Sequence, residues 1–208
     1  LASIDYRMDE WGVDVTVAGS QKGLMLPPGL SFNAISEKAL AASHAAKLPK
    51  AFWGWDDMLK ANKTGYFPYT PGTNLLYGLR EALAMLAEEG LENVFARHTR
   101  HGEATRRAVR AWGLEVLALN PAEHSGSLTA VLMPAGHDAD ALRAKILDAF
   151  DMSLGTGLGK LAGKVFRIGH LGHFNDLTLA GTLAGVEMGL ALAKVPHRAG
   201  GLQAALVA

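Results

Sequence analysis

Residues 13–29 read as a strand that ends in small residues, then a single lysine, then a proline turn. Val13-Asp14-Val15-Thr16-Val17 alternates apolar and polar side chains, and Ala18-Gly19-Ser20-Gln21-Lys22-Gly23 and Leu24-Met25-Leu26-Pro27-Pro28-Gly29 follow it. The alternation predicts a buried strand, and the Pro-Pro-Gly step predicts a sharp turn. Lys22 is therefore delivered by a strand end into a loop of small residues, where an amine is held at one point and partly desolvated. Desolvation disfavours an ammonium and frees the amine as a nucleophile or base, which is what a Schiff base with an aldehyde requires. The same local pattern also fits a surface lysine in a turn.

The rest of the chain alternates helices and strands. Residues 8–12 read as a turn or short helix, and residues 30–35 as a second strand. Ser36 is placed to cap an alanine-rich helix running to about residue 47. Phe52, Trp53 and Trp55 form an aromatic cluster suited to a core or a subunit interface. Residues 66–73 form a loop with two prolines, after which Thr73 can cap a helix with a stripe of Leu75, Leu76, Leu79, Leu83 and Leu86. Unpaired N–H groups at a helix start, with hydroxyls beside them, suit a phosphate, although an ordinary capped helix reads the same way. A boundary is expected at Glu88-Glu89-Gly90. Beyond it, residues 91–112 form a helix whose Arg and His side chains, including His98 and His101, are expected on a solvated face.

Strands are then expected at residues 114–119, 128–133 and 165–170, with a helix from Asp138-Ala139-Asp140 to about residue 150. The glycine-rich residues 155–159 read as a connecting loop, since no Lys-Ser/Thr pair follows at phosphate-loop spacing. Arg167 falls mid-strand among apolar neighbours, an expensive place for a guanidinium without an anion. A structural carboxylate and a ligand carboxylate explain it equally well. Asn175-Asp176 caps a last long helix with Leu179, Leu183, Val186 and Leu190 turned inward, and the tail from Gly200 carries no signal.

Composition narrows the function classes. Twenty basic residues balance twenty acidic ones, so no global field recruits nucleic acid or an acidic surface. The absence of cysteine excludes disulfides, thiolate metal sites and Cys nucleophiles, and it suits the cytoplasm. Apolar runs are broken by polar residues before they reach membrane-spanning length.

Gly19-Ser20-Gln21-Lys22 followed by Pro27-Pro28-Gly29 resembles the cofactor-lysine segment of class V, fold-type I aminotransferases, in the serine–glyoxylate and alanine–glyoxylate branch. The resemblance continues through Tyr69-Thr70-Pro71, Leu79-Arg80-Glu81-Ala82-Leu83 and Lys164-Val165-Phe166-Arg167-Ile168-Gly169. Trp53-Gly54-Trp55-Asp56 and Phe95-Ala96-Arg97-His98 are similar to bacterial serine–glyoxylate enzymes. The resemblance implies an α/β fold: the second half of a pyridoxal-phosphate-binding large domain over residues 1–90, then a smaller α+β domain over 91–208. It implies that Lys22, with Gln21 beside it, holds pyridoxal 5′-phosphate. Thr70 would bind the cofactor phosphate across a homodimer, with Phe67 standing where a tyrosine is expected. Arg167 would clamp the substrate α-carboxylate. The implied reaction is serine plus glyoxylate giving hydroxypyruvate and glycine, with small amino acids and 2-oxo acids as substrates and neither nucleic acid nor membrane as a partner. Alanine as donor, another class V reaction, or a catalytically incomplete fragment are the alternatives. In such enzymes an aspartate keeps the pyridine nitrogen protonated. Asp5, Asp9 and Asp14 lie too close to Lys22 for that role, so a further N-terminal segment is expected.

Overall fold

Val15–Gly19 (β1) and Ser31–Ile35 (β2) pair antiparallel with Val17 opposite Asn33. In the computed structural model, which describes residues 1–207, these strands belong to a compact unit of residues 5–88 that also includes Leu1. A second unit takes in residues 2–4 and the chain from residue 89 onward.

In the first unit, β1 starts two residues later than the alternation predicts. Val13 N–H donates to the Met8 carbonyl in a turn, and the Asp14 carboxylate is taken by Ser36 Oγ at 2.7 Å and Lys38 Nζ at 2.6 Å. The strand instead runs on through Ala18 and Gly19. It is not a buried strand among the described residues, since Val17 is 66% exposed.

Ser36 caps the helix Glu37–Ala45 (α1) by accepting from Ala39 N–H. Trp55–Asn62 (α2) and Thr73–Glu89 (α3) follow. Thr73 is the first residue of α3 and not its cap, because the Gly72 carbonyl already accepts from the N–H groups of Leu75 and Leu76. The inner face of α3 runs through Leu75, Leu79, Ala82 and Leu86. Leu83 lies off that stripe and is half exposed.

The second unit is a four-stranded antiparallel sheet packed with helices. Its elements in chain order are Leu91–Ala111 (α4), Glu115–Val116 (β3), Leu128–Leu132 (β4), Ala139–Phe150 (α5), Gly155–Thr156 (β5), Val165–Gly169 (β6), Asp176–Leu192 (α6) and Gly201–Ala205 (α7). The strand order is β3-β4-β6-β5. Asp138 and Asn175 cap α5 and α6 by accepting from backbone N–H groups. Trp112, Val131, Phe166, Ile168, Leu142, Ile146, Leu183 and Leu190 fill the core. The expected strand at 114–119 shrinks to two residues, since its far end is exposed at Leu119. Gly155-Thr156 is a short edge strand rather than loop, because β6 supplies its backbone partners.

The tail from Gly200 forms α7. The Glu187 carboxylate accepts from Trp112 Nε1 at 2.8 Å and from the N–H groups of Gly200 and Gly201 at 2.8 and 2.9 Å, fixing where that helix begins. Among the described residues, no helix is long and apolar enough to cross a membrane.

Candidate functional site

Residues 20–30, between β1 and β2, close on themselves around Ser20. This side chain is fully buried; its Oγ donates to the Pro27 carbonyl at 2.7 Å and accepts from Leu30 N–H at 3.2 Å. Ser20 N–H donates to the Leu30 carbonyl, and Leu26 N–H to the Ser20 carbonyl. Met25 turns back at φ 61°, donating to the Lys22 carbonyl. These bonds leave Gln21 and Lys22 exposed on the outside of a rigid loop. The expected desolvation of Lys22 is thus not supplied by the described residues. Its side chain has no hydrogen-bond or ion-pair partner among them.

Lys22 borders an open cavity of about 520 Å³ lined also by Tyr6, Val15, Val17, Gly19 and Leu24. Pyridoxal phosphate requires an uncommitted amine, an apolar wall for its ring and donors for its phosphate. The cavity supplies the first two, and its volume lies within the ordinary range for small-molecule sites. Gln21 folds back over the strand end: a Cβ on Gly19 would stand 2.6 Å from Gln21 Oε1.

Thr70 lies in the loop before α3 and is exposed. Its neighbour Tyr69 stacks on Phe52 with ring centroids 4.7 Å apart, so that ring is committed to packing. One side chain joins the Thr70 loop to the Lys22 loop. A Cβ on Gly29 would stand 2.5 Å from Leu75 Cδ1, and one on Gly72 3.4 Å from the same atom. Gly78, one turn further along α3, seats Leu26, whose Cδ2 would be 2.7 Å from an added Cβ. The structure therefore packs the 20–30 loop, through Leu26 and Gly29, and the Thr70 loop, through Gly72, against the first turns of α3. This convergence is tertiary, and no local pattern announces it.

Arg167 belongs to the second unit. Phe166 and Ile168 on β6 enter the core, so alternation turns Arg167 to the opposite face. Its lateral neighbours are the two smallest kinds of residue: Ala130 on β4 and Gly155 on β5. No carboxylate pairs with it among the described residues, and its Nε is buried without a partner. A guanidinium left this way calls for an anion from elsewhere.

The strand end beyond Arg167 is held by His170 and by His98 of α4, which is not on a solvated face. His98 and His101 are buried, as is His170 at the end of β6. His170 Nδ1–H donates to the Gly126 carbonyl at 2.9 Å, so its Nε2 accepts from Thr129 Oγ1 at 3.1 Å. His98 Nδ1–H likewise donates to the Val94 carbonyl, and its Nε2 accepts from Gly172 N–H at 3.1 Å. Arg97 adds bonds to the carbonyls of Gly172 and Phe174 while paired with Glu89. The turn after β6 is thus clamped by two neutral imidazoles and an arginine.

Burial pushes His170 down to about 4; the hydrogen bond to Gly126 opposes this, and the nearby Arg106 guanidinium acts with it. The unfolded chain takes up this proton near 6.5 and the folded unit only near 4. Stability from neutral His170 is therefore fully present above the unfolded value and lost as the pH falls toward 4. Denaturant unfolding should show the second unit losing about 2 kcal/mol from this group between pH 7 and pH 5. His170→Asn, which keeps a donor toward Gly126, should flatten that dependence. An unchanged slope would place the acid sensitivity elsewhere.

Comparison with known proteins follows the same lines. The family model described as aminotransferase class V matches residues 1–160. A serine–glyoxylate aminotransferase from Methylorubrum extorquens is 51% identical over 195 residues, covering 91% of this chain and 48% of that protein. An L-aspartate–glyoxylate aminotransferase from Paracoccus denitrificans is 46% identical over 200 residues, covering 96% and 50%. In structure, a pyridoxamine–pyruvate aminotransferase from Mesorhizobium loti superimposes with a TM-score of 0.92 at 32% identity, covering 99% of this chain and 54% of that one. The chain spans about half the length of the curated relatives it matches.

Proposed function

Because the chain belongs to the class V aminotransferases, we propose that it supplies the lysine and carboxylate-binding parts of a pyridoxal-phosphate enzyme that moves an amino group from serine to glyoxylate. The observation that carries this reading is Arg167, a strand guanidinium flanked by Ala130 and Gly155 and left without an anion. Serine, glyoxylate and their products share one group that it can bind, the α-carboxylate.

In this reading the first unit is part of the cofactor-binding domain. Lys22 holds pyridoxal phosphate covalently through Nζ, Gln21 contacts it from the next position, and the Thr70 hydroxyl donates to its phosphate across a homodimer. When bound, the cofactor ring supplies a sink for the electron pair left at the donor Cα. The chain's own residues do the rest. Arg167 fixes the substrate by two parallel N–H bonds to its carboxylate, a geometry that a planar guanidinium offers and an ammonium does not. The Lys22 amine, once free, would take the proton from the donor Cα, and over the full cycle one proton would be delivered to the acceptor Cα. Ser20 keeps that amine in place by tying its loop shut.

Serine as donor rests on the resemblance and on the Methylorubrum relative; the Paracoccus relative makes aspartate the nearest competitor. A donor screen with glyoxylate and the purified holoenzyme tests the reading. Glycine should form fastest from serine, with hydroxypyruvate in equal amount. Faster turnover with aspartate or alanine at equal concentration would overturn the choice of donor. Absence of any glycine would overturn the activity.

A further inference from the structure

Arg167 owes its place to what Gly155 lacks. The two residues face each other across the β5–β6 pair, on the same side of the sheet. A Cβ built on Gly155 would stand 3.0 Å from Arg167 Cβ, 3.1 Å from its Nε and 3.5 Å from its Cζ. Ordinary cross-strand neighbours keep their Cβ atoms about 4.5–5.5 Å apart, so the arginine lies over ground that any other residue would occupy.

One partner would have to move, and both backbones are held, β6 by its pairing with β4 and the burial of Phe166 and Ile168 and β5 by its bonds to α5, which leaves the Arg167 side chain to give way. Thr156 Oγ1 donates to Asp140 Oδ1 at 2.8 Å, and that same oxygen accepts from Arg143 Nη1 at 2.7 Å. Arg143 Nε also donates to the Leu154 carbonyl at 2.8 Å, and the Leu154 side chain is buried in the core. The edge strand is thus bolted to α5 on both sides of Gly155. An added side chain would displace the guanidinium. Gly155 has no left-handed φ, so alanine or valine meets no backbone strain there and the effect is confined to this contact.

We infer that Gly155 is a positioning residue: its missing side chain sets where the Arg167 guanidinium lies and so tunes recognition of the substrate α-carboxylate. The inference rests on the reading of Arg167 given above. A paired N–H···O contact is directional, and a small displacement of the fork weakens it without touching the amine chemistry at Lys22.

The test is a graded series in the holoenzyme. Gly155→Ala should raise KM for serine and for glyoxylate by about tenfold, and Gly155→Val by more, in step with the carboxylate contact they disturb. The rate at saturation and the affinity for pyridoxal phosphate should stay within about threefold. The dissociation constant of 3-hydroxypropanoate, which keeps the serine carboxylate and hydroxyl but has no amine, should rise in parallel when measured by calorimetry. Gly181→Ala on α6, where a Cβ meets nothing within 4 Å, is the control for an added methyl and should change none of these. On an Arg167→Leu background, Gly155→Val should add no further loss, because it acts through the arginine. If Arg167→Leu weakens carboxylate binding while both Gly155 variants leave it unchanged, the inference falls and the reading of Arg167 stands. If Gly155→Val costs as much without the arginine as with it, the inference also falls. If Arg167→Leu leaves carboxylate binding unchanged, the reading of Arg167 fails and the inference goes with it. Thermal unfolding of each variant identifies any loss of fold, and the alanine variant decides the matter should valine not be tolerated.

Discussion

Lys22→Ala is expected to leave the protein folded and to remove nearly all transamination. The side chain is exposed and has no partner among the described residues, so truncating it should change stability by no more than about 0.5 kcal/mol. The loop keeps its shape through Ser20, whose bonds to Pro27 and Leu30 do not involve the lysine. Losing the proton carrier alone should lower turnover by roughly 10²–10⁴-fold, and losing the covalent hold on the cofactor adds to that. Unfolding curves and single-turnover rates check the two halves separately. A variant that unfolds would show that the lysine is structural, and one that keeps a tenth of its turnover would show that another amine does the work.

Arg167→Leu should have a different signature. Removing the carboxylate contact should cost roughly 2–5 kcal/mol of substrate binding, read as higher KM for donor and acceptor together with cofactor affinity retained. The fold should not suffer. The native guanidinium keeps a buried Nε without a partner, so the shorter, apolar leucine removes an unsatisfied group and should leave the stability of the sheet little changed. Substrate KM and the unfolding midpoint measure both effects in one variant. A marked drop in stability, with cofactor and substrate binding lost alike, would mean that the arginine serves the fold.

The elements that could be read from sequence are those fixed by local chemistry. Ser36, Asp138 and Asn175 all accept from backbone N–H groups as caps, and the leucines and valine of α6 are buried at the spacing that predicted them. Arg167 stands out in the sequence because a charge amid apolar strand residues is visible in one dimension. That its Nε is orphaned, and that Gly155 makes its place, depends on which strand lies beside β6. A two-residue edge strand has no period of its own to detect. His98 and His101 were read as solvated because they sit in a run of arginines. His98 is buried because its ring nitrogens bond the Val94 carbonyl and the Gly172 N–H, whereas His101 is buried with Nε2 on Asp176 Oδ1, its ring against Phe174 and its Nδ1 without a partner among the described residues. Lys22, Gln21 and Thr70 could be picked out by motif, but the packing of both loops around Leu75 could not.

The most direct test of the account is chemical. Loading the protein with pyridoxal phosphate, reducing with borohydride and digesting should place the added mass on the peptide that contains Lys22, with none on the Lys22→Ala variant. Label carried instead by the peptide of Lys47 or Lys160, or spread evenly over the surface lysines, would contradict the central claim that the β1–β2 loop exists to present this one amine.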